Sequence, residues 1–229
     1  MPTPEEILHG LAIATNKFMF LSIFWHIAVI IFLLLLIAGK RPSNKVVALG
    51  LIALLLSVAF VAMMVYNPFN AIMFLLATIL FIFITWKLPK AEVLVKLDFI
   101  SIIGLALIAF GFVYPHFLEN AGFLKYLYAS PLGLIPCPTL SVFIGITLLY
   151  HGFHSKKWMF SAALIGLFYG IFGVLRLKVY LDVGLIAGAL LLLVYGKFGL
   201  RQMEAKSIRA QLSPLSPIRL WKTSIIACQ

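Results

Sequence analysis

Three polar side chains inside apolar segments are the strongest candidates for chemistry in this sequence. Cys137 lies in the stretch Pro136-Cys137-Pro138-Thr139, Asp182 lies near the start of a later apolar segment, and His26 lies in the first one. A thiol, a carboxylate and an imidazole can each ligate a metal or carry a proton. Because unpaired polar groups are costly in apolar surroundings, each needs a partner or a function.

The two prolines around Cys137 predict a helix break, since proline donates no backbone hydrogen bond. Carbonyls freed in this way are tolerated where they face protein or a water-filled cavity. Cys137, Pro138 and Thr139 therefore indicate a local cavity or a tight polar packing site. The first interpretation is a packing kink with an inert thiol, and the second is metal or substrate ligation.

Asp182 also has two interpretations. It follows Lys178 by four residues, so the two can form a helical ion pair, and an acid in the first turn suits the helix dipole. The alternative is a proton or cation site. Asn67 and Asn70, which flank a tight turn, and Tyr114, at the end of an apolar segment, are the other polar candidates.

His26 is the only histidine placed inside an apolar segment, and it is either a hydrogen-bonded core residue or a ligand. Bis-histidine haem needs two such residues, so we expect none within this chain. No lysine lies midway along the last apolar segment, so we expect no retinal either. Other cofactors, and a metal near Cys137, stay open.

The elements that position these residues are predicted to be membrane helices. Of the 229 residues, 63% are hydrophobic and 11% are charged, which is too few charges to cover a soluble globule. The strands of a membrane β-barrel alternate apolar and polar residues, and the apolar runs of this sequence show no such alternation. The fold class is therefore an all-α integral membrane protein, a bundle of about seven transmembrane helices. They are predicted at residues 18–38, 46–66, 71–86, 99–114, 132–150, 158–175 and 180–198.

The basic residues fix the predicted orientation. One side of the membrane would carry four Lys and Arg, and the other side the remaining fourteen of the 18. The positive-inside rule then places the amino terminus outside and the carboxyl terminus in the cytoplasm, in a multi-pass protein of the cytoplasmic membrane. Because topology explains the net charge of +11, we expect the lipid bilayer as partner and no nucleic acid.

Three regions follow from this topology. Residues 1–17 form an interfacial helix with a capping box at Thr3 and Glu6. Residues 18–198 form the transmembrane domain, and residues 199–229 form a basic cytoplasmic tail that includes Cys228. The two cysteines have no metal-site or disulfide spacing.

Glycines in the last two segments have small-xxx-small spacing, which predicts close packing of the sixth and seventh helices. They are Gly166, Gly170, Gly173, Gly184 and Gly188. Such faces also suit a membrane-protein partner or a homo-oligomer.

Several motifs together resemble an uncharacterised family of bacterial multi-pass membrane proteins, defined as a domain of unknown function. They are Thr3-Pro4-Glu5-Glu6, Tyr66-Asn67-Pro68-Phe69-Asn70-Ala71, Tyr114-Pro115, Pro136-Cys137-Pro138-Thr139 and Asp182-Val183-Gly184-Leu185. The sequence departs from the family pattern after Thr139. The resemblance implies a multi-pass fold and no particular activity.

By this topology Asn67, Asn70, Tyr114, Cys137 and Asp182 share the outer side, which predicts an outward-facing polar pocket that includes His26. The first hypothesis is transport or binding of a small solute or cation there. The second is a non-catalytic accessory subunit of a larger membrane complex. An enzyme using Cys137 as nucleophile is a third, but no hydrolase or P-loop motif supports catalysis.

Overall fold

The computed structural model describes residues 3–90, 97–118 and 122–199. This part of the chain is all-α, with no β-strand. The predicted basic tail beyond Gly199, including Cys228, lies outside the described residues. The helices are α1 (Pro4–Lys17), α2 (Met19–Ile37), α3 (Asn44–Met64), α4 (Pro68–Trp86), α5 (Phe99–Val113), α6 (Phe123–Ala129), α7 (Pro136–Leu149), α8 (Lys156–Arg176) and α9 (Val183–Val194). A 3₁₀ turn, Tyr180–Asp182, precedes α9, and a π-helical turn, Tyr195–Gly199, extends it.

Five of these segments are long and apolar enough to cross a membrane: Met19–Ile37, Asn44–Met64, Pro68–Trp86, Lys156–Arg176 and Tyr180–Phe198. The other two predicted spans coincide with α5 and α7, which have 15 and 14 residues. At 1.5 Å per residue these two helices are about 21–23 Å long, shorter than a hydrocarbon core of about 30 Å. The all-α prediction is confirmed, and five of the seven predicted spans have the length of a full crossing.

Helix α7 forms the centre of the bundle. Every residue from Pro136 to Leu149 is buried, which fits a sequence that is apolar on all sides. It packs most extensively against α5 and also contacts α8, α9 and α3. The other helices are therefore arranged around α7.

The contact between α5 and α7 depends on glycines that the sequence analysis did not single out. A Cβ on Gly104 would lie 2.7 Å from the carbonyl oxygen of Gly145, and a Cβ on Gly145 would lie 2.6 Å from that of Gly104. Further along, a Cβ on Gly111 would lie 2.5 Å from the carbonyl oxygen of Pro138. Small residues let the two backbones touch along the full length of the contact.

The predicted helix break at the prolines is wrong. Pro136 is in the first turn of α7, and the extended residue Ile135 precedes it. The first-turn N–H groups of a helix have no intrahelical partner, so Pro136 and Pro138 remove no hydrogen bond there. The prolines begin the helix instead of interrupting it.

The predicted packing glycines divide between two interfaces. Gly170 faces Ile186 of α9, Gly173 faces Asp182, and Gly166 lies against both Ile144 of α7 and Ala189 of α9. Gly184 and Gly188 lie against α5, at Phe110 and Leu107, not against α8 as predicted. The two glycines of α9 therefore pack against α5, because α9 lies between α8 and α5.

Side-chain caps begin five of the described helices. The capping residues are Thr3, Ser43, Asn67, Asp98 and Ser155. The capping box predicted at Thr3 and Glu6 is present, with Thr3 N–H donating to the Glu6 carboxylate at 2.8 Å. These caps satisfy backbone donors at the helix starts.

Replacing Gly104 with alanine should destabilise the protein by about 1–3 kcal/mol, because the new methyl group would meet the α7 backbone. Gly50→Ala is the matched control, since a Cβ at Gly50 of α3 meets nothing within 4 Å. The control should be neutral or up to about 1 kcal/mol more stable. Thermal unfolding of the purified protein in detergent measures both; equal stability of the two variants would contradict the α5–α7 contact.

Candidate functional site

The candidate site is a group of three buried side chains, which we call the Asp182 cluster. The Tyr114 hydroxyl donates to Asp182 Oδ1 at 2.7 Å, and the Cys137 thiol donates to Asp182 Oδ2 at 3.1 Å. Asp182 is 1% exposed, Tyr114 0% and Cys137 9%. Three residues far apart in the sequence thus meet around one carboxylate.

Helix ends position the Asp182 cluster. Tyr114 directly follows α5, Cys137 is the second residue of α7, and Asp182 directly precedes α9. A Cβ on Gly173 of α8 would lie 1.8 Å from Asp182 Oδ2, so only glycine leaves room for the carboxylate. The cluster therefore forms where α5, α7, α8 and α9 meet at one end of the bundle.

The structural interpretation of Asp182 as a helix cap or an ion-pair partner of Lys178 is wrong. The Asp182 side chain makes no capping hydrogen bond to α9. Within the described ranges it also has no basic partner, since its polar contacts are Tyr114 and Cys137. Lys178 instead adopts a left-handed conformation, with φ 56°, in the turn before the cluster.

His26 is buried at 1% exposure and contacts two backbone carbonyls. Its Nδ1 lies 2.8 Å from the Ser22 oxygen, and its Nε2 lies 2.9 Å from the Phe112 oxygen. Carbonyl oxygens only accept, so a neutral imidazole, which has one N–H, satisfies one of these contacts. A protonated imidazolium satisfies both.

The two predicted asparagines have different roles. Asn67 caps α4, accepting from the Asn70 N–H at 3.1 Å. The Asn70 side chain accepts a hydrogen bond from the Tyr169 hydroxyl at 3.0 Å. Tyr169 is one helical turn from Gly173, so the Asn70–Tyr169 pair lies on the same face of α8 as the Asp182 contact. Tyr169 was missed because its partner is 99 positions away.

Thr139 stabilises the chain that leads into α7 and does not contact Asp182. Its hydroxyl accepts from the Gly133 N–H at 2.9 Å and donates to the Ile135 carbonyl at 2.6 Å. From α3, the Ser57 hydroxyl donates to the Gly133 carbonyl at 2.7 Å, and the Trp25 indole donates to Ser57 at 2.9 Å. These contacts fix the register at which α7 begins, and with it the position of Cys137.

A second polar group, which we call the His151 cluster, was not predicted. His151 Nδ1 lies 2.9 Å from the Tyr195 hydroxyl, and His151 Nε2 lies 3.6 Å from Asp98 Oδ2. The residues from His151 to His154 all have left-handed backbone angles, with φ values of 48°, 65°, 54° and 56°. Such angles strain non-glycine residues, and strain of this kind often occurs at functional positions.

The Asp182 and His151 clusters are built on the same three helices. Tyr114 and Asp98 flank the two ends of α5, Cys137 and His151 lie at the two ends of α7, and Asp182 and Tyr195 flank α9. Each helix therefore contributes one polar residue to each cluster. Sequence reasoning missed this arrangement because the pairings join distant segments and leave no local pattern.

A cavity of about 530 Å³ lies beside the Asp182 cluster. It is lined by the segment 177–181, which leads directly into Asp182, and by His116, which follows Tyr114 by two residues. His116, Lys178 and Tyr180 are the residues of its lining that have polar side chains. The chain segments that build the cluster thus also form the walls of an opening next to it.

Within residues 3–90, 97–118 and 122–199, no three His, Cys, Asp or Glu side chains are grouped to hold a metal ion. Cys137 and Asp182 supply two adjacent groups of this kind. What the cluster can do directly is exchange a proton, since hydroxyl, thiol and carboxylate form one hydrogen-bonded chain.

Gly173→Ala should displace the Asp182 carboxylate and expose Cys137 to alkylation. In a Cys228→Ser background, Cys137 is the single remaining cysteine of the two. We expect N-ethylmaleimide to react at least about tenfold faster than without the glycine change, because about 1.5 kcal/mol of hydrogen-bond protection is lost. Gly184→Ala is the control, since its Cβ would make an ordinary 3.4 Å contact with Phe110. Unchanged reactivity in Gly173→Ala would contradict the packing around Asp182.

Asp98 lies outside the apolar helices and gives a pH prediction. Burial raises its pKa, but the Ser101 backbone hydrogen bond and the His151 charge outweigh this, so the pKa lies below its ordinary value of 3.8. Because the pKa of Asp98 is lower in the folded state than in the unfolded state, the ionised side chain stabilises the protein at pH values above the unfolded-state pKa. This stabilisation is lost as the pH falls through the folded-state pKa.

Asp98→Asn separates this charge effect from the helix cap, because asparagine caps equally well. At pH 6 it should cost about 0.5 kcal/mol, since the side chain is 49% exposed and solvent screens the charge. Asp98→Ala should cost about 1 kcal/mol more through loss of the cap. The Asn variant should match the original protein only once the pH falls below the folded-state pKa of Asp98, which lies below 3.8, as measured by thermal unfolding. A difference that persists or grows at low pH would rule out the charge contribution.

Comparison with known proteins adds no family to this description: no protein-family model, no curated protein and no solved structure matches the chain. The resemblance to an uncharacterised multi-pass membrane family stays a prediction.

Proposed function

We propose that the chain crosses the cytoplasmic membrane seven times, with the amino terminus outside and the carboxyl terminus in the cytoplasm. The five long apolar helices and the short helices α5 and α7 supply seven crossings. The uneven division of the 18 basic residues gives the direction. In this orientation the Asp182 cluster faces outward and the His151 cluster faces the cytoplasm.

We further propose that the protein binds and transfers a small cation, in the first place a proton, at the Asp182 cluster. The observation that carries this proposal is a carboxylate that is 1% exposed and has no basic partner in the described chain. An ionisable group at membrane depth is expensive, and its usual reason is an ion or proton pathway. The two donors, Tyr114 and Cys137, hold the carboxylate without neutralising it.

The surroundings of Asp182 support a transported charge. His26 is a second buried side chain of a type that can carry a proton, and its ring contacts the carbonyl oxygens of Ser22 and Phe112. The cavity beside the cluster, lined by His116 and Lys178, would give water access from the outer side. Within the cluster, the hydrogen bonds through which a proton would reach the carboxylate are already formed.

Flux through purified protein in liposomes tests the proposal. With a pH-sensitive dye inside and a pH step imposed outside, the original protein should equilibrate faster than protein-free liposomes. Asp182→Asn should slow this flux about tenfold or more, because the amide holds no exchangeable carboxyl proton. Tyr114→Phe, which removes one donor and keeps the ring, should slow it less.

Cys137→Ser is the matched control, because it keeps a donor to Asp182, whereas Cys137→Ala removes it. Monodisperse elution and unfolding temperature show that each variant is folded. Flux that is equal in the original protein, Asp182→Asn and Cys137→Ala would refute a role for the cluster in transfer. In that case, co-purification of a stable membrane partner in gentle detergent would favour the accessory-subunit hypothesis.

A further inference from the structure

A second cavity lies at the opposite end of the bundle from Asp182. It has a volume of about 570 Å³ and lies between the start of α8 and the end of α9. Its basic residues are Lys156, Lys157 and Lys197, which come from both helices. No residue of either polar cluster lines it, so it is separate from the site described above.

The lining of this cavity combines positive charge with an apolar wall. Phe160, Leu192 and Leu193 supply the wall, and Phe160 is 58% exposed despite its size. None of the three lysines has an acidic partner in the part of the chain that the structure describes. Three ammonium groups beside an apolar surface match a ligand with an anionic head and a hydrocarbon tail.

The position of the cavity matches such a ligand as well. It lies where α8 begins and the α9 segment ends, which in the proposed topology is the depth at which headgroup and acyl chain join. The last turn of the α9 segment is π-helical, from Tyr195 to Gly199, and carries Lys197. Single π-helical turns are rare and occur frequently at functional sites. Gly196, from the same turn, also lines the cavity.

We propose that this cavity binds one anionic phospholipid, with its phosphate against Lys156, Lys157 and Lys197 and an acyl chain along Phe160, Leu192 and Leu193. The apolar wall selects a lipid over free phosphate, which would gain nothing from it. Attraction of juxtamembrane lysines to anionic lipid supplies the headgroup preference. The proposal does not depend on transfer through Asp182.

Native mass spectrometry of the full-length protein in detergent tests it, with phosphatidylglycerol and phosphatidylcholine titrated separately. The protein should retain one phosphatidylglycerol at concentrations where phosphatidylcholine is not retained. The triple variant Lys156→Gln, Lys157→Gln, Lys197→Gln should weaken retention about 100-fold, since each lysine near an anionic headgroup contributes about fivefold. Inorganic phosphate at the same concentrations should not displace the lipid.

The matched control removes the same number of charges from the exposed Lys40, Lys87 and Lys90, which lie at the same end of the bundle. It should change retention less than about threefold, because it leaves the cavity intact. The proposal is overturned by equal losses in the two triple variants, by equal binding of phosphatidylcholine, or by displacement with phosphate.

Discussion

The packing of α7 against α5 is the constraint on which the rest of the molecule depends. A helix with every residue buried needs neighbours on all sides, and the closest neighbour approaches through Gly104 and Gly145. This backbone contact leaves no freedom to slide one helix past the other. Because Cys137 and His151 lie at the two ends of α7, the register of this contact also fixes the positions of both polar clusters.

The two polar clusters lie at opposite ends of the bundle, and the middle of the bundle is apolar. Between them α5, α7 and α9 present almost entirely apolar side chains, and the hydroxyls within the buried helices bond mainly to their own backbone. Thr78, Thr85 and Ser141 each donate to the carbonyl four residues earlier. Asp182 and His26 differ because their polar atoms reach other helices. They are buried ionisable side chains that the bundle must accommodate.

The sequence was sufficient for the all-α fold class, for five of the seven predicted spans and for singling out Asp182. These features have local signals that can be recognised in a sequence alone. The signals are the length of the apolar segments, the helix cap and the motifs that contain Tyr114, Cys137 and Asp182. It was insufficient for the partners, since Asn70–Tyr169 and Asp98–His151 join residues that no short pattern connects. It also misjudged Pro136, because proline breaks a helix interior but suits a first turn, and periodicity alone does not locate the first turn.

The complete burial of α7 has a consequence for how the protein would sit in lipid. A helix that touches only protein has no hydrophobic mismatch with the bilayer, so its 14 residues need not match the membrane thickness. The mismatch falls on the outer helices, such as α2, where Phe20 and Ile37 are each 82% exposed. These helices can tilt to suit membranes of different thickness while the central helix keeps its length. The outer helices would therefore adapt to the lipid, while the central helix keeps the polar clusters in place.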